Sequence, residues 1–233
     1  MSETTDDRSP PVRLKVCCIA SPEEARLAIR SGATAVGLVS AMPSGPGPID
    51  EPLIRDIAAQ VPAGIETFLL TSLTDPQAII AQHARCRTST LQLVDRVAPE
   101  TLTALRSALP EVRLVQVIHV QGPAAIEEAL RIERRVDAIL LDSGNPALAV
   151  KELGGTGRTH DWSVSRELCA AVNVPVYLAG GLRPDNVVEA VTKVRPFGVD
   201  VCSGLRTRGA LDERKLGAFT AALWTIREPR SGA

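Results

Sequence analysis

Eight apolar, strand-like runs punctuate this chain, and the gaps between them carry helical-period sequence, an order that calls for a parallel sheet with helical crossovers. The runs are LKVCCI (14–19), AVGLVS (35–40), IETFLLT (65–71), STLQLV (89–94), VRLVQVIHV (112–120), VDAILLD (136–142), VPVYLAG (174–180) and GVDVCSG (198–204). The intervening segments show helix starts and stops. In the first of them Ser21 is placed as the N-cap, Pro22 as the first helical residue and Gly32 as the stop. Eight β-then-α pairs predict a closed (β/α)8 TIM barrel over residues 13–227, in preference to an open eight-stranded sheet. No GxGxxG follows the first strand, which argues against a dinucleotide fold. Residues 1–12, polar, acidic and with prolines near their end, are expected to form a disordered tail, with a second tail over 228–233.

A length of 233 residues fits one barrel. Apolar residues make up 45% of the chain but aromatics only 3%, so the interior must be built from Val, Ile, Leu and Ala. A formal charge of −1, with few rings for base stacking, argues against a nucleic-acid partner. No apolar run approaches the roughly 20 residues of a membrane span, and MSETTDDRSPP lacks the features of a signal peptide. The expected location is the cytoplasm, with no membrane partner. Five cysteines without CxxC spacing indicate reduced thiols and no metal site.

Barrel chemistry sits where the strands end, and the loops after strands 7 and 8 typically hold a phosphate. Glycines fall in those places: Gly180 and Gly181 after the seventh run, Ser203-Gly204 after the eighth, and a GGTG segment containing Gly155 and Thr156 after the sixth. Glycine lets the backbone approach an anion closely, so these six residues are the candidate phosphate ligands. In the first run a period of two puts Lys15, Cys17 and Ile19 on one face and Cys18 on the other. Only one thiol can then face the interior, and Cys17 is the candidate base; the competing reading is a small buried apolar group. Asp142 ends two leucines at the mouth, a position better explained by chemistry than by packing. Asp200 is a weaker candidate, and Asp137 belongs at the opposite face, where charges serve stability.

These motifs together resemble the phosphoribosylanthranilate isomerase family of tryptophan biosynthesis, from about Leu14 to Phe219. Lys15-Val16-Cys17-Cys18 is similar to its KICG pattern, Val36-Gly37-Leu38 to its VGF and Leu91 to Asp95 to its LQLHG. In the second half Leu140 to Ser143, Gly154 to Gly157, His160 to Trp162, Leu178 to Leu182 with Pro184 and Asn186-Val187, and Gly198 to Gly204 resemble LLDS, GGTG, FDW, LAGGLxPxNV and GVDVSSG in order. The resemblance implies a cofactor-independent Amadori rearrangement of a phosphorylated sugar-amine substrate. In it Asp142 is the general acid that opens the furanose ring, and Cys17 the base that removes the C2 proton. The chain departs from the family where an Arg would hold the anthranilate carboxylate, since Gly47 stands there. It departs again where a His ends strand 4, since Val94 stands there. Cys18 replaces a glycine, expected to be a mild change on the outward face. The sugar-phosphate half of the site is thus kept and the amine half altered. A close N-ribosyl phosphate analogue, or a non-catalytic barrel that binds a phosphorylated ligand, are the competing expectations.

Overall fold

The computed structural model describes residues 12–144, 157 and 159–226. Eight parallel strands form a closed barrel in sequence order: β1 (Arg13–Val16), β2 (Ala35–Val39), β3 (Glu66–Thr71), β4 (Thr90–Leu93), β5 (Arg113–His119), β6 (Ala138–Asp142), β7 (Val176–Leu178) and β8 (Gly198–Val201). Closure is made by β1 against β8, with Lys15 opposite Asp200 and Val16 opposite Val201. Around it lie α1 (Pro22–Arg30), α2 (Glu51–Gln60), α3 (Pro76–Cys86), α4 (Pro99–Ala108), α5 (Ala124–Ile132), α6 (Trp162–Ala171), α7 (Val187–Val194) and α8 (Glu213–Trp224). The TIM barrel expected from the alternation is the fold observed.

Helix starts follow from local chemistry. Ser21 accepts from the Glu24 amide, and Asp50, Asp75, Asp161 and Asp212 cap α2, α3, α6 and α8 in the same way. Strand alternation then divides the core in two. Leu14, Val16, Val36, Leu38, Leu69, Leu91 and Leu141 face outward to the helices, while Ala35, Phe68, Val115, Ala138, Leu140 and Tyr177 fill the interior. Val12 is buried in the outer layer, so the folded core begins one residue before the expected boundary.

Several runs leave the sheet sooner than their composition suggests. The first strand stops at Val16 and the seventh at Leu178, because Cys18, Gly180 and Gly181 all take positive φ and turn the chain at the mouth. The seventh helix starts only at Val187, past the Arg183-Pro184 segment. The Asn186 side chain accepts from the Arg183 amide at 2.8 Å and donates to the Gly181 carbonyl at 3.0 Å, which holds a turn before the helix. After β8 come a short 3-10 turn (Ser203–Leu205) and a hairpin of β9 (Arg206–Thr207) and β10 (Ala210–Leu211). Its turn residues, Arg208 and Gly209, both have positive φ, as a tight two-residue hairpin requires.

Candidate active site

A pocket opens at the C-terminal end of the barrel. Cys17, Cys18, Gln92, Asp142, Gly180, Gly181, Asp200, Cys202 and Ser203 line it, so residues from opposite ends of the sequence meet there. The candidate acid and the candidate base share this one cavity. Gly155 and Thr156 lie outside the described residues. Gly204 sits one step behind the lining, where a Cβ would come within 2.0 Å of the Leu182 carbonyl oxygen. Its bareness lets the loops after β7 and β8 close on each other.

Asp142 ends β6 almost fully buried, and its Oδ1 accepts from the Ser143 amide at 2.7 Å. Burial, the largest effect, raises its carboxyl above the usual range, although the Ser143 amide and His119 pull the other way. A raised carboxyl pKa favours the protonated form that a general acid needs. Asp137 accepts from Arg106 at 2.7 Å and from the Leu114 amide at 2.7 Å, a structural pairing at the start of β6, as expected for the far face.

Lys15 had no assigned role in the sequence. It is wholly buried, 2.9 Å from Asp200 and over the Phe68 ring. Burial is the largest influence and lowers its pKa, yet the Asp200 carboxylate and then Cys17 outweigh it and hold the ammonium above its ordinary value. A Cβ on Gly37 would come within 2.8 Å of Cys17 Sγ and 3.1 Å of Lys15 Nζ, so thiol and ammonium flank one methyl-sized space. Gln92 also faces the pocket, with its Oε1 buried and unpartnered. The signal for both residues was a polar side chain on the inward period of an apolar strand.

The expectation that only one thiol faces inward is corrected. Cys17 and Cys18 both belong to the interior cluster, and Ile19 packs outside. The reason is backbone conformation: Cys18 has φ 62°, which breaks the alternation and swings its side chain back over the pocket. A left-handed conformation costs an ordinary residue about 1–2 kcal/mol and glycine almost nothing. Cys18→Gly is therefore expected to melt above Cys18→Ala, the reverse of the usual ranking, by about 1 kcal/mol in thermal denaturation. An alanine variant at least as stable would exclude this conformation.

Cys18 also explains the altered loop. Its thiol donates to the Pro46 carbonyl at 3.6 Å, and a Cβ at Gly47, where φ is 88°, would lie 2.6 Å from Cys18 Cβ. The two departures from the KICG and Arg-bearing patterns are thus one change, since the Cys18 side chain occupies the space that a side chain at 47 needs. Among the described residues, Arg13, Arg96 and His119 do not fill the gap. Arg13 pairs with Glu66 at 2.8 Å, Arg96 bonds Glu128 at 2.8 Å, His119 meets the Val94 carbonyl at 3.1 Å, and none of the three lines this pocket. Met42, Pro46, Leu70 and Val94 leave that end of it mostly apolar.

A model of the N-(5'phosphoribosyl)anthranilate (PRA) isomerase family matches residues 14–222. N-(5'-phosphoribosyl)anthranilate isomerase 2 of Methanosarcina mazei is 37% identical over 210 residues, covering 89% of this chain and 92% of the relative. The N-(5'-phosphoribosyl)anthranilate isomerase of Haloferax volcanii is 39% identical over 224 residues, covering 92% and 94%. Among solved structures, phosphoribosyl anthranilate isomerase from Thermotoga maritima superposes with a TM-score of 0.79 at 28% identity, over 92% of this chain and all of that one. Another, phosphoribosyl anthranilate isomerase in complex with reduced 1-(o-carboxyphenylamino)-1-deoxyribulose 5-phosphate, gives 0.77 at 26% identity, over 92% and 100%. With the barrel, the mouth pocket and these matches in agreement, the chain belongs to the N-(5'-phosphoribosyl)anthranilate isomerase family.

Proposed function

We propose that this protein isomerises N-(5-phosphoribosyl)anthranilate, or a close N-ribosyl phosphate analogue, to the 1-amino-1-deoxyribulose phosphate. The observation that carries the reading is the shared pocket of Asp142 and Cys17, flanked by Gly180, Gly181 and Ser203. In the first step Asp142 protonates the furanose ring oxygen, the C1–O bond breaks, and the nitrogen lone pair forms an iminium. In the second, Cys17 takes the C2 proton as thiolate, leaving an enolamine that tautomerises to the ketone. Both proton transfers act within one bound sugar, which positioning alone favours strongly. Backbone at Gly180, Gly181, Ser203 and Gly204, with Gly155 and Thr156, holds the phosphate. No helix in the described residues is long and apolar enough to cross a membrane.

Steady-state kinetics on phosphoribosylanthranilate tests the reading and its altered amine end together. Turnover is expected with a raised KM, since losing a charge-assisted bond to the carboxylate costs about 1.5–3 kcal/mol away from the reacting carbons. Gly47→Arg alone is expected not to lower KM, because Cys18 stands in the way, whereas Cys18→Gly with Gly47→Arg is expected to lower it. Wild-type efficiency equal to that of ordinary family members would mean that another group meets the carboxylate. Activity in none of the three proteins would favour a different amine or a non-catalytic barrel.

A further inference from the structure

Two residues that line the pocket carry a buried polar atom with no partner among the described residues: Gln92 at its Oε1 and Asp200 at its Oδ1. Gln92 is 3% exposed and Asp200 7%, and polar groups buried so deeply are disfavoured unless something bonds them. The fold does satisfy the buried glutamine on the next strand. Gln116 of β5 donates from Nε2 to the Leu93 carbonyl at 3.0 Å and to the Asp95 carbonyl at 2.9 Å. Its amide serves the barrel wall, whereas that of Gln92 faces the cavity. Asp200 is divided in the same sense, since Oδ2 meets the Lys15 ammonium at 2.9 Å and Oδ1 is left over.

Both leftover atoms are acceptors, so a ligand completes them by offering hydrogens. A phosphate dianion has none to give, and an aromatic ring has none of the right kind; hydroxyl groups do. A hydroxyl also suits Gln92 with its amide turned over, because it can accept as well as donate. The two residues stand on β4 and β8, on opposite sides of the eight-stranded ring, and so reach a ligand from both flanks. Asp200 lies three positions before Ser203, on the side of the phosphate-holding loops. Gln92 lies two positions before Val94, at the apolar end left for the amine. A pentose bound between those ends passes Asp200 first and Gln92 second.

We propose that Gln92 and Asp200 form a hydroxyl subsite that makes the pocket prefer ribosyl over 2-deoxyribosyl phosphates. Asp200 takes the hydroxyl at C3, nearer the phosphate, and Gln92 the one at C2, nearer the amine. The inference rests on the sugar-phosphate reading of the same cavity and names the residues that recognise its sugar. Discrimination follows from desolvation: an ester without the 2-hydroxyl leaves the Gln92 amide buried and unpaired in the complex.

The test is isothermal titration of the full-length protein with ribose 5-phosphate, 2-deoxyribose 5-phosphate and inorganic phosphate. Wild type is expected to bind the ribose ester at least about tenfold more tightly than the deoxy ester, the discrimination that one satisfied buried hydrogen bond provides. Gln92→Leu should bring the two esters to within about threefold and leave inorganic phosphate unchanged. It should also melt no lower than wild type, because it removes a buried polar atom that no protein group satisfies; a purely structural glutamine would lose stability instead. Asp200→Asn should weaken both esters several-fold and keep the preference, since both retain the 3-hydroxyl. Equal affinities for the two esters in wild type, or a preference that survives Gln92→Leu, would overturn the subsite. A preference lost in Asp200→Asn, or no weakening there, would overturn the assignment of the two hydroxyls. Inorganic phosphate reads the glycine loops alone: if it binds while the esters do not differ, only the hydroxyl subsite falls, and if none of the three binds, the phosphate reading falls with it.

Discussion

Asp142→Asn is expected to lower kcat/KM for the isomerisation by at least about a hundredfold, the lower range for loss of a general acid. The asparagine oxygen can still accept from the Ser143 amide, as Oδ1 does now at 2.7 Å, so geometry should survive while the transferable proton does not. Stability should move the other way. A carboxyl whose folded pKa is raised is most stabilising when protonated, and its ionisation costs the folded state as pH rises through that pKa. Near neutral pH and above, Asn removes that cost, and the variant should melt no lower than wild type. Cys17→Ala should show a similar loss of turnover with the fold kept. Loss of less than tenfold in either, with circular dichroism unchanged, would remove that residue from the chemistry; equal effects in Cys18→Gly would mean the two thiols have been assigned wrongly.

Lys15→Met is expected to cost about 3–5 kcal/mol, the largest stability effect among these substitutions. Lys15 is fully buried and Asp200 nearly so, at 2.9 Å, and removing the cation strands a carboxylate inside the barrel. Met fills a similar volume, so the loss reports charge and not a cavity. In a chain of this size each kcal/mol moves Tm by about 2–4 °C, which puts the drop near 10 °C. A double variant, Lys15→Met with Asp200→Leu, should recover much of it, since an apolar pair of similar size often replaces a buried ion pair without loss. The pH sense follows from the raised lysine pKa. The stabilisation is complete below the ordinary lysine range and fades only as pH rises through the higher folded value, so wild type should hold its stability through pH 9 at this site. Single and double variants that melt alike would show that the pair is not coupled.

How much of this was legible in the chain can be judged from particular residues. Asp142 was found because a carboxyl after Leu140-Leu141 has no packing explanation, and Asp137 was sent to the far face by its place at the start of the same run. Ser21 as a cap and Pro22 as a first helical residue followed from local hydrogen bonding. Lys15 was passed over because its partner, Asp200, is 185 positions away and meets it only when β1 closes on β8. Asn186 lies in one of the helical-period gaps between the runs, yet its side chain holds the Gly181 loop.

The sequence by itself determined the alternation of strand and helix, the number of strands, and the ends at which acid, thiol and glycines would gather, since periods of 2 and 3.6 are properties of neighbouring residues. Tertiary structure alone decided which way Cys18 points, because one residue at φ 62° reverses a face that alternation assigns by parity. It also decided that Cys18 excludes a side chain at Gly47 and that three thiols from residues 17, 18 and 202 share one mouth. Contacts of that kind depend on barrel closure, which brings the first and last strands together at a sequence separation that no local pattern encodes.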